Sequence, residues 1–279
     1  MSVLVTKADG TVEAFKIEKL RRSLRRAGAT KHEVSSITKQ IVDSITSGMS
    51  TQEIYRRAFA LLRERELPAA ARYSLRRAMF GLGPTGFPFE AFLARMFEVE
   101  GYTTRLNVSI QGKCALHEID VGAHKADHSF VAEAKFHSRP GIKSDLQVAM
   151  YSYARLLDLK EQKICEHDVC GIGEFMLVTN TKFTSSAVSY GECVGLTMLS
   201  WNHPRTNNLH DRIQRAQIYP ITVLQNLSGN QAKLLLEKEV ILCRDLLAKP
   251  QALKYLHINK DKSDAILSEA VNLVHSPKQ

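Results

Sequence analysis

Residues 129–136 predict a buried strand, because five of the eight are apolar and polar residues bound them. Side chains alternate between the two faces of a strand, so Val131, Glu133 and Lys135 project to one face. The apolar residues between them project to the other face, towards a core. An acid and a lysine on such a strand are costly to bury unless they serve each other or an ion. Glu133 and Lys135 are therefore candidate functional residues.

A second acid, Asp120, lies near the end of a preceding predicted strand, residues 115–123. A tight hairpin between the two strands would bring Asp120 beside Glu133. Two carboxylates in a partly dry site repel each other, and a hard divalent cation such as Mg2+ relieves that repulsion. Lys135 beside such a cation could orient a water molecule and offset the charge on a phosphate. Glu118, two positions before Asp120, is a rival ligand.

The arrangement Asp120 … Glu133-Ala134-Lys135 resembles the PD-(D/E)xK nuclease superfamily. The resemblance implies a Mg2+-dependent endodeoxyribonuclease that hydrolyses phosphodiester bonds of DNA. It implies that Asp120, Glu133 and the Ala134 carbonyl hold the metal, while Lys135 orients the attacking water. It also implies a central α/β restriction-endonuclease-like core with the order αβββαβ.

Segments on either side of this motif extend the resemblance. Residues 89–97 predict an apolar-faced helix, and a Gly-Tyr pair follows it. This segment resembles the opening helix of Mrr-like restriction endonucleases, in which an early glutamate approaches the metal. Glu90 is the matching residue in this sequence. Gln147 and Tyr151 fall on one face of a later helix, and such a pair recurs in RecB-like members of the superfamily. The resemblance implies that Gln147 holds the site in place or contacts the scissile-strand phosphate. Residues 178–187 resemble the strand-to-helix segment that follows in Mrr-like nucleases.

The N-terminal residues, 1–84, predict a β-hairpin followed by four helices. Two short strands flank the turn at residues 8–11, a typical hairpin signal. Thr30 and Glu33 have the spacing of a capping box, which predicts the start of the second helix. Pro68 is typical of the first turn of a helix and opens the fourth.

This layout closely resembles the ATP-cone domain, the nucleotide-sensing cap of ribonucleotide reductases, over roughly residues 2–82. The resemblance implies that the segment binds ATP or dATP. Ala8 stands where the family usually has an arginine, which leaves open the nucleotide that binds. The residues that match the nucleotide contacts of the family are Val5, Lys7, Glu13, Lys19 and Thr51.

The net charge of +9 is concentrated in the same N-terminal segment. Residues 1–84 carry 16 Lys plus Arg against 8 Asp plus Glu, whereas the remaining 195 residues carry 22 against 21. A basic surface of this kind suits the phosphates of a nucleotide or of DNA. The alternation of Leu20 and Leu24 with arginines also fits a solvated face of an amphipathic helix.

Residues 81–88, with three glycines and two prolines, predict a linker. Beyond residue 205 the composition changes to leucine-rich helical segments. We therefore predict an α+β multidomain fold: an ATP cone at residues 1–84, a nuclease domain at 88–204 and a small helical domain at 205–279.

Composition narrows the class of protein further. A hydrophobic content of 44% and a charged content of 24% are typical of soluble globular proteins. No apolar run approaches the ~18 residues of a membrane span, so no membrane contact is expected. Five cysteines without a C-x-x-C pair favour a reduced, cytoplasmic environment. The segment Cys165–Cys170 lacks a fourth zinc ligand and predicts a plain loop.

Two functions stay open at this level. The first is a DNA endonuclease that acts in restriction, defence or repair. ATP or dATP bound to the cone would regulate it allosterically, and the protein would form a homo-oligomer. The alternative is a non-catalytic, nucleotide-responsive DNA-binding regulator, as in the zinc-ribbon repressors that use an ATP cone. Those repressors carry two C-x-x-C pairs before the cone, and none precedes it here. His117 and His137 flank the proposed site and predict supporting or surface roles.

Overall fold

The computed structural model describes residues 3–163 and 171–275. They form two compact units. The first contains the described residues up to Ala78 and those from Ile221 onward, and the second is Met79–Pro220. The predicted loop at Cys165–Cys170 lies outside the described residues.

The first unit begins with the predicted hairpin and four helices. Strands β1 (Leu4–Thr6) and β2 (Val12–Ala14) pair in antiparallel fashion. The four helices that follow are α1 (Ile17–Arg26), α2 (Lys31–Ser44), α3 (Thr51–Arg63) and α4 (Leu67–Phe80).

Local capping explains where two of these helices begin. Thr30 accepts a hydrogen bond from the Glu33 backbone N–H, and the Glu33 side chain bonds back to the Thr30 N–H, so the predicted capping box is confirmed. Ser50 caps α3 by accepting from the Glu53 N–H. Apolar residues of the helices and hairpin then form one core: Val5, Leu20, Leu24, Val34, Ile37, Ile41, Ile54, Ala58 and Leu62.

The second unit is built around a mixed five-stranded sheet. Its strand order is β3 (Thr103–Gln111), β4 (Leu116–Lys125), β5 (His128–Lys135), β7 (Glu174–Thr179) and β9 (Thr197–Leu199). Strand β4 is antiparallel to both β3 and β5, whereas β7 runs parallel to β5 and β9 parallel to β7. A separate parallel pair consists of β6 (Lys143–Ser144) and β8 (Lys182–Phe183).

Helices accompany this sheet in the second unit. They are α5 (Phe87–Val99), α6 (Leu146–Leu159), α7 (Ser185–Val194) and α8 (Leu209–Ala216). Phe97 of α5 packs edge-on against Phe130 of β5, with ring centroids 4.9 Å apart. Ala149 of α6 and Ala187 of α7 share a core cluster with Val131. The chain is thus an α+β multidomain protein with a mixed central sheet.

Further helices complete the first unit. They are α9 (Gly229–Glu237), α10 (Cys243–Ala248) and α11 (Lys260–Val274), with 3-10 turns at Ile221–Val223 and Pro250–Leu256. The Thr222 hydroxyl donates to the Ala78 carbonyl (2.8 Å), and the Gln225 amide donates to the Ser74 hydroxyl (3.3 Å). These hydrogen bonds join the segment after Ile221 to α4.

The compact units do not coincide with the three predicted domains. Helix α8 belongs to the second unit, where Arg212 forms an ion pair with Glu100, although the predicted C-terminal domain begins at residue 205. The helices after Ile221 share a unit with the cone helices. Compactness alone does not define a domain, so the three-domain division stays a prediction. Within the described ranges, no helix is both long and apolar enough to cross a membrane.

Candidate functional site

Asp120 and Glu133 lie side by side on neighbouring strands of the central sheet. The β4–β5 pairing ends at Val121 opposite Ala132, so the next positions on the two strands are Asp120 and Glu133. Asp120 Oδ2 accepts a hydrogen bond of 2.6 Å from the Ala134 backbone N–H. The predicted hairpin therefore does bring the two acids together.

Glu133 is almost completely buried, with 5% of its surface exposed. Lys135 Nζ donates to its Oε1, so the acid and the lysine of the motif bind each other. The Arg155 guanidinium donates to its Oε2 and also to the backbone carbonyl of Glu118. Both oxygens of the Glu133 carboxylate thus have a cationic partner.

Arg155 is the residue of this site that sequence reasoning missed. It lies on α6, and only 6% of its surface is exposed. The buried positions of this helix are Ala149, Ser152, Arg155 and Leu159, which is the spacing of a core-facing helical stripe. An arginine on such a stripe requires a buried acid as partner, and that signal could have been found in the sequence.

Burial and neighbouring charges raise the pKa of two acids in this site, Asp120 and Glu90. Burial and the neighbouring Glu133 charge raise the pKa of Asp120 to about 6. Burial, followed by the charges of Asp120, Glu133 and Glu118, raises the pKa of Glu90 to about 7. Glu90, near the start of α5, therefore lies close enough to the strand acids for their charges to act on it.

Strand β4 loses its regular alternation at Asp120. Its ladder with β3 pairs Leu106 with Val121 and Val108 with Ile119, and skips the position between them. Ile119 packs in the same core cluster as Val131, whose partner across the β4–β5 ladder is Gly122. Positions 119 and 122 thus face the same side, which regular alternation over three residues forbids. Asp120 lies at this irregularity.

Gln147 is not brought into the carboxylate cluster by any described hydrogen bond. It is exposed and lines an open groove of about 600 Å³ with Tyr151, Met150 and Thr184, among others. Tyr151 lies closer to the site, because its ring centroid is 5.7 Å from the Arg155 guanidinium carbon. The role predicted for Gln147 stays a prediction.

The two histidines near the site have structural partners. His117 Nε2 lies 2.7 Å from Asp158 Oδ2, and the same carboxylate accepts from the backbone N–H groups of Cys114 and Ala115. Asp158 thereby fixes the turn between β3 and β4 to α6. His137 Nε2 lies 3.1 Å from the Ser144 hydroxyl. Burial, with help from the Lys135 charge, lowers the His137 pKa.

The cone residues form a second cluster. Glu13 lies between two predicted phosphate ligands, with Lys7 Nζ at 3.2 Å and Lys19 Nζ at 2.8 Å from its carboxylate oxygens. The hydrogen bond from Lys19 is the largest influence that lowers the Glu13 pKa. Thr51 begins α3 next to Ser50, which bridges to Thr6 of β1. The Val5 side chain, in contrast, is buried in the core, so only its backbone could face a nucleotide.

In residues 3–163 and 171–275, no group of three or more His, Cys, Asp or Glu side chains is arranged to hold a metal ion. The predicted Mg2+ site, which consists of Asp120, Glu133 and the Ala134 carbonyl, stays a prediction. The charge of the Glu133 carboxylate is neutralised by Lys135 and Arg155.

Two family models match segments of the chain. The ATP cone domain model matches residues 3–79, and the model described as AF1548-like, C-terminal matches residues 219–274. The chain therefore carries an ATP-cone domain, a type of domain that supports nucleotide binding, and an AF1548-like C-terminal segment. The mixed-sheet unit lies between them in the sequence. The cone predicted from the sequence is confirmed.

Similar whole proteins define the family. An uncharacterized protein of Archaeoglobus fulgidus is 31% identical over 183 residues, which are 65% of this chain and 99% of the archaeal protein. The crystal structure of a protein of unknown function, AF1548, superimposes with a TM-score of 0.56 at 28% identity and covers 69% of this chain and 100% of its own. The chain belongs to the family of this archaeal protein.

Proposed function

We propose that this protein is a Mg2+-dependent DNA endonuclease whose activity responds to ATP or dATP bound at the cone. The observation that carries the proposal is the cluster in which Asp120 and Glu133 meet on adjacent strands, with Lys135 bonded to Glu133. Burial and the charges of these acids raise the pKa of Glu90. Buried carboxylates that repel one another destabilise a fold, and such groups are typical of functional sites.

The central unit supports the same proposal. Its elements follow the order helix, three antiparallel strands, helix, parallel strand and helix, as in the αβββαβ core that the resemblance implies. The acids lie on the second and third strands of this order. A fold alone does not determine function, and the weight rests on the site.

The donor chemistry fits a hard cation. Asp120, Glu133 and the Ala134 carbonyl offer only oxygen atoms, which Mg2+ prefers. Burial and then repulsion from Glu133 raise the Asp120 pKa, and a divalent cation relieves such repulsion. Such a cation would supply Lewis-acid stabilisation of the phosphate charge.

The chain's own residues have separate tasks in this proposal. The Ala134 N–H holds Asp120 through Oδ2. Lys135, which is one-third exposed, can orient a water and neutralise a phosphate oxygen once it leaves Glu133. Gln147 and Tyr151 offer an open polar and aromatic surface for the DNA strand.

Plasmid cleavage tests the proposal. Supercoiled and linear DNA are incubated with the full chain and Mg2+, with EDTA and with the Asp120→Asn variant as controls, each with and without ATP or dATP. We expect cleavage that requires Mg2+ and Asp120. If the protein binds DNA specifically but cleaves it under none of these conditions, the nuclease proposal is overturned and the non-catalytic regulator is favoured. The neutralisation of Glu133 by Lys135 and Arg155 is also compatible with that regulator.

A further inference from the structure

Glu133 has two cationic partners that differ in how firmly they are held. The Arg155 side chain is 7% exposed, and a second arm of its guanidinium binds the Glu118 carbonyl on β4. The Lys135 side chain is 33% exposed and follows Glu133 by two residues on the same strand. One partner is enclosed by protein on several sides, and the other reaches solvent.

Arginine suits the enclosed position. Its planar guanidinium presents several N–H groups in a fixed fork and can therefore bind the Glu133 carboxylate and the β4 carbonyl together. Lysine is a point charge on a flexible stem and can leave Glu133 for water at little cost. Removing a buried partner leaves an uncompensated charge, whereas removing an exposed partner does not.

Arg155 also connects the two strands that carry the acids. It binds Glu133 on β5 and the backbone of Glu118 on β4, two residues before Asp120. Its helix contributes Ala149 and Leu159 to the core beside Val131. The guanidinium is thus fixed from α6 and holds one acid and the strand of the other.

We propose that Arg155 is the permanent counter-ion and positioning residue of Glu133, and that a divalent cation enters the site at Oε1 by displacing Lys135. Arg155 keeps Oε2 in both states. The displaced Lys135 ammonium is then free to face a water or a phosphate oxygen. This inference rests on the proposed function for the identity of the cation, but the pairing of Arg155 with Glu133 does not.

Calorimetric titration of Mg2+ into the full chain, without DNA, tests the order of displacement. Lys135→Met removes the competitor for Oε1, so we expect Mg2+ to bind several-fold more tightly than to wild type. Arg155→Lys keeps the charge but loses the fork, so we expect Mg2+ to bind several-fold more weakly. Lys125→Met is the matched control, because Lys125 lies at the far end of β4, over the Tyr102 ring. Weaker binding by Lys135→Met, or unchanged binding by Arg155→Lys, would overturn the proposal.

Thermal unfolding tests the pairing separately from any metal. Arg155→Met leaves Glu133 buried without its fixed partner, and we expect the unfolding midpoint of the metal-free protein to fall by roughly 10 °C. Adding Glu133→Gln to Arg155→Met should restore most of that loss, because the buried carboxylate that the partly exposed Lys135 alone would have to neutralise is gone. A double variant no more stable than Arg155→Met would refute the counter-ion role. Wild type that binds no Mg2+ but shows this rescue would overturn the proposed function and the displacement of Lys135, and leave the pairing intact.

Discussion

Asn107 lies opposite Asp120 across strands β3 and β4, at the position where the ladder between these strands is interrupted. Leu106 pairs with Val121 and Val108 with Ile119, and the pair between them is missing. Asn107 has a φ of 51°, in the left-handed region that L-residues other than asparagine and aspartate seldom adopt. The backbone irregularity that places Asp120 is therefore built from the neighbouring strand.

We expect Asn107→Gly and Asn107→Val to differ in both stability and activity. Glycine adopts this φ without a steric penalty, so the free energy of unfolding should change little. In Asn107→Val, the free energy of unfolding should fall by about 1–3 kcal/mol, or the β3–β4 ladder should become regular and turn Asp120 away. Chemical denaturation and the Mg2+-dependent cleavage rate measure the two effects. Equal activity in both variants would show that the irregularity does not position Asp120.

Asp120→Asn and Glu133→Gln should both abolish Mg2+-dependent cleavage but shift metal-free stability in opposite directions. Burial and repulsion disfavour the ionised Asp120, so the neutral amide should stabilise the fold at pH 7 by on the order of 1 kcal/mol, allowing for its partial exposure. Glu133→Gln leaves the buried Arg155 with a weaker partner and should therefore destabilise the fold. Urea unfolding with EDTA measures both. Wild-type cleavage by either variant would remove that acid from the site.

Lys7→Ala and Lys19→Ala should each weaken ATP binding. A charge-assisted hydrogen bond contributes about 1.5–3 kcal/mol, which corresponds to a loss of roughly tenfold or more in affinity. Calorimetry on the full chain measures it. Lys39→Ala, on the exposed surface of α2, is the control and should bind as wild type. If wild type binds neither ATP nor dATP, the absence of arginine at Ala8 has changed the ligand of the cone.

Nucleotide should change the assembly of the protein together with its cleavage rate. A ligand shifts an equilibrium only between states that bind it unequally. In the first unit, α4 is hydrogen-bonded through Ser74 to the segment after Ile221, so a change in the cone reaches the C-terminal helices. Light scattering with and without ATP or dATP gives the mass. An unchanged mass and rate at saturating, confirmed binding would exclude this regulation.

Acid should loosen the β3–β4 turn before it unfolds the sheet. The hydrogen bond from His117, with those from the Cys114 and Ala115 backbone, lowers the Asp158 pKa to about 2 from 3.8. A carboxyl with a lowered folded pKa contributes stability above its unfolded pKa and loses it as the pH falls from about 4 to about 2. Hydrogen exchange at residues 112–117 should therefore accelerate over that window. In Asp158→Asn, this acceleration of hydrogen exchange between about pH 4 and about pH 2 should be absent.

Local signals predicted much of the fold. The capping residues Thr30 and Ser50 act within four positions along the chain, so the sequence reveals them directly. Asp120, Glu133 and Lys135 were predictable because strand alternation and one hairpin suffice to bring them together.

Long-range partners were not predictable in the same way. Arg155 reaches Glu133 from 22 residues away, and only the tertiary packing of α6 decides which strand it meets. The left-handed Asn107 is invisible in a pattern of polar and apolar residues, because its cause is the register of β3 against β4. Hydropathy also gives no sign that the helices after Ile221 share a unit with the cone helices.

The discontinuity of the first unit has a consequence for biosynthesis. A ribosome delivers the cone segment first, then all of Met79–Pro220, and only then the helices from Ile221 onward. The continuous central unit can fold as soon as it emerges. Helix α4 of the cone, in contrast, gains its hydrogen bonds with Thr222 and Gln225 only after more than a hundred further residues have been made. The unit that carries the cone is therefore the last part of the nascent chain to become complete.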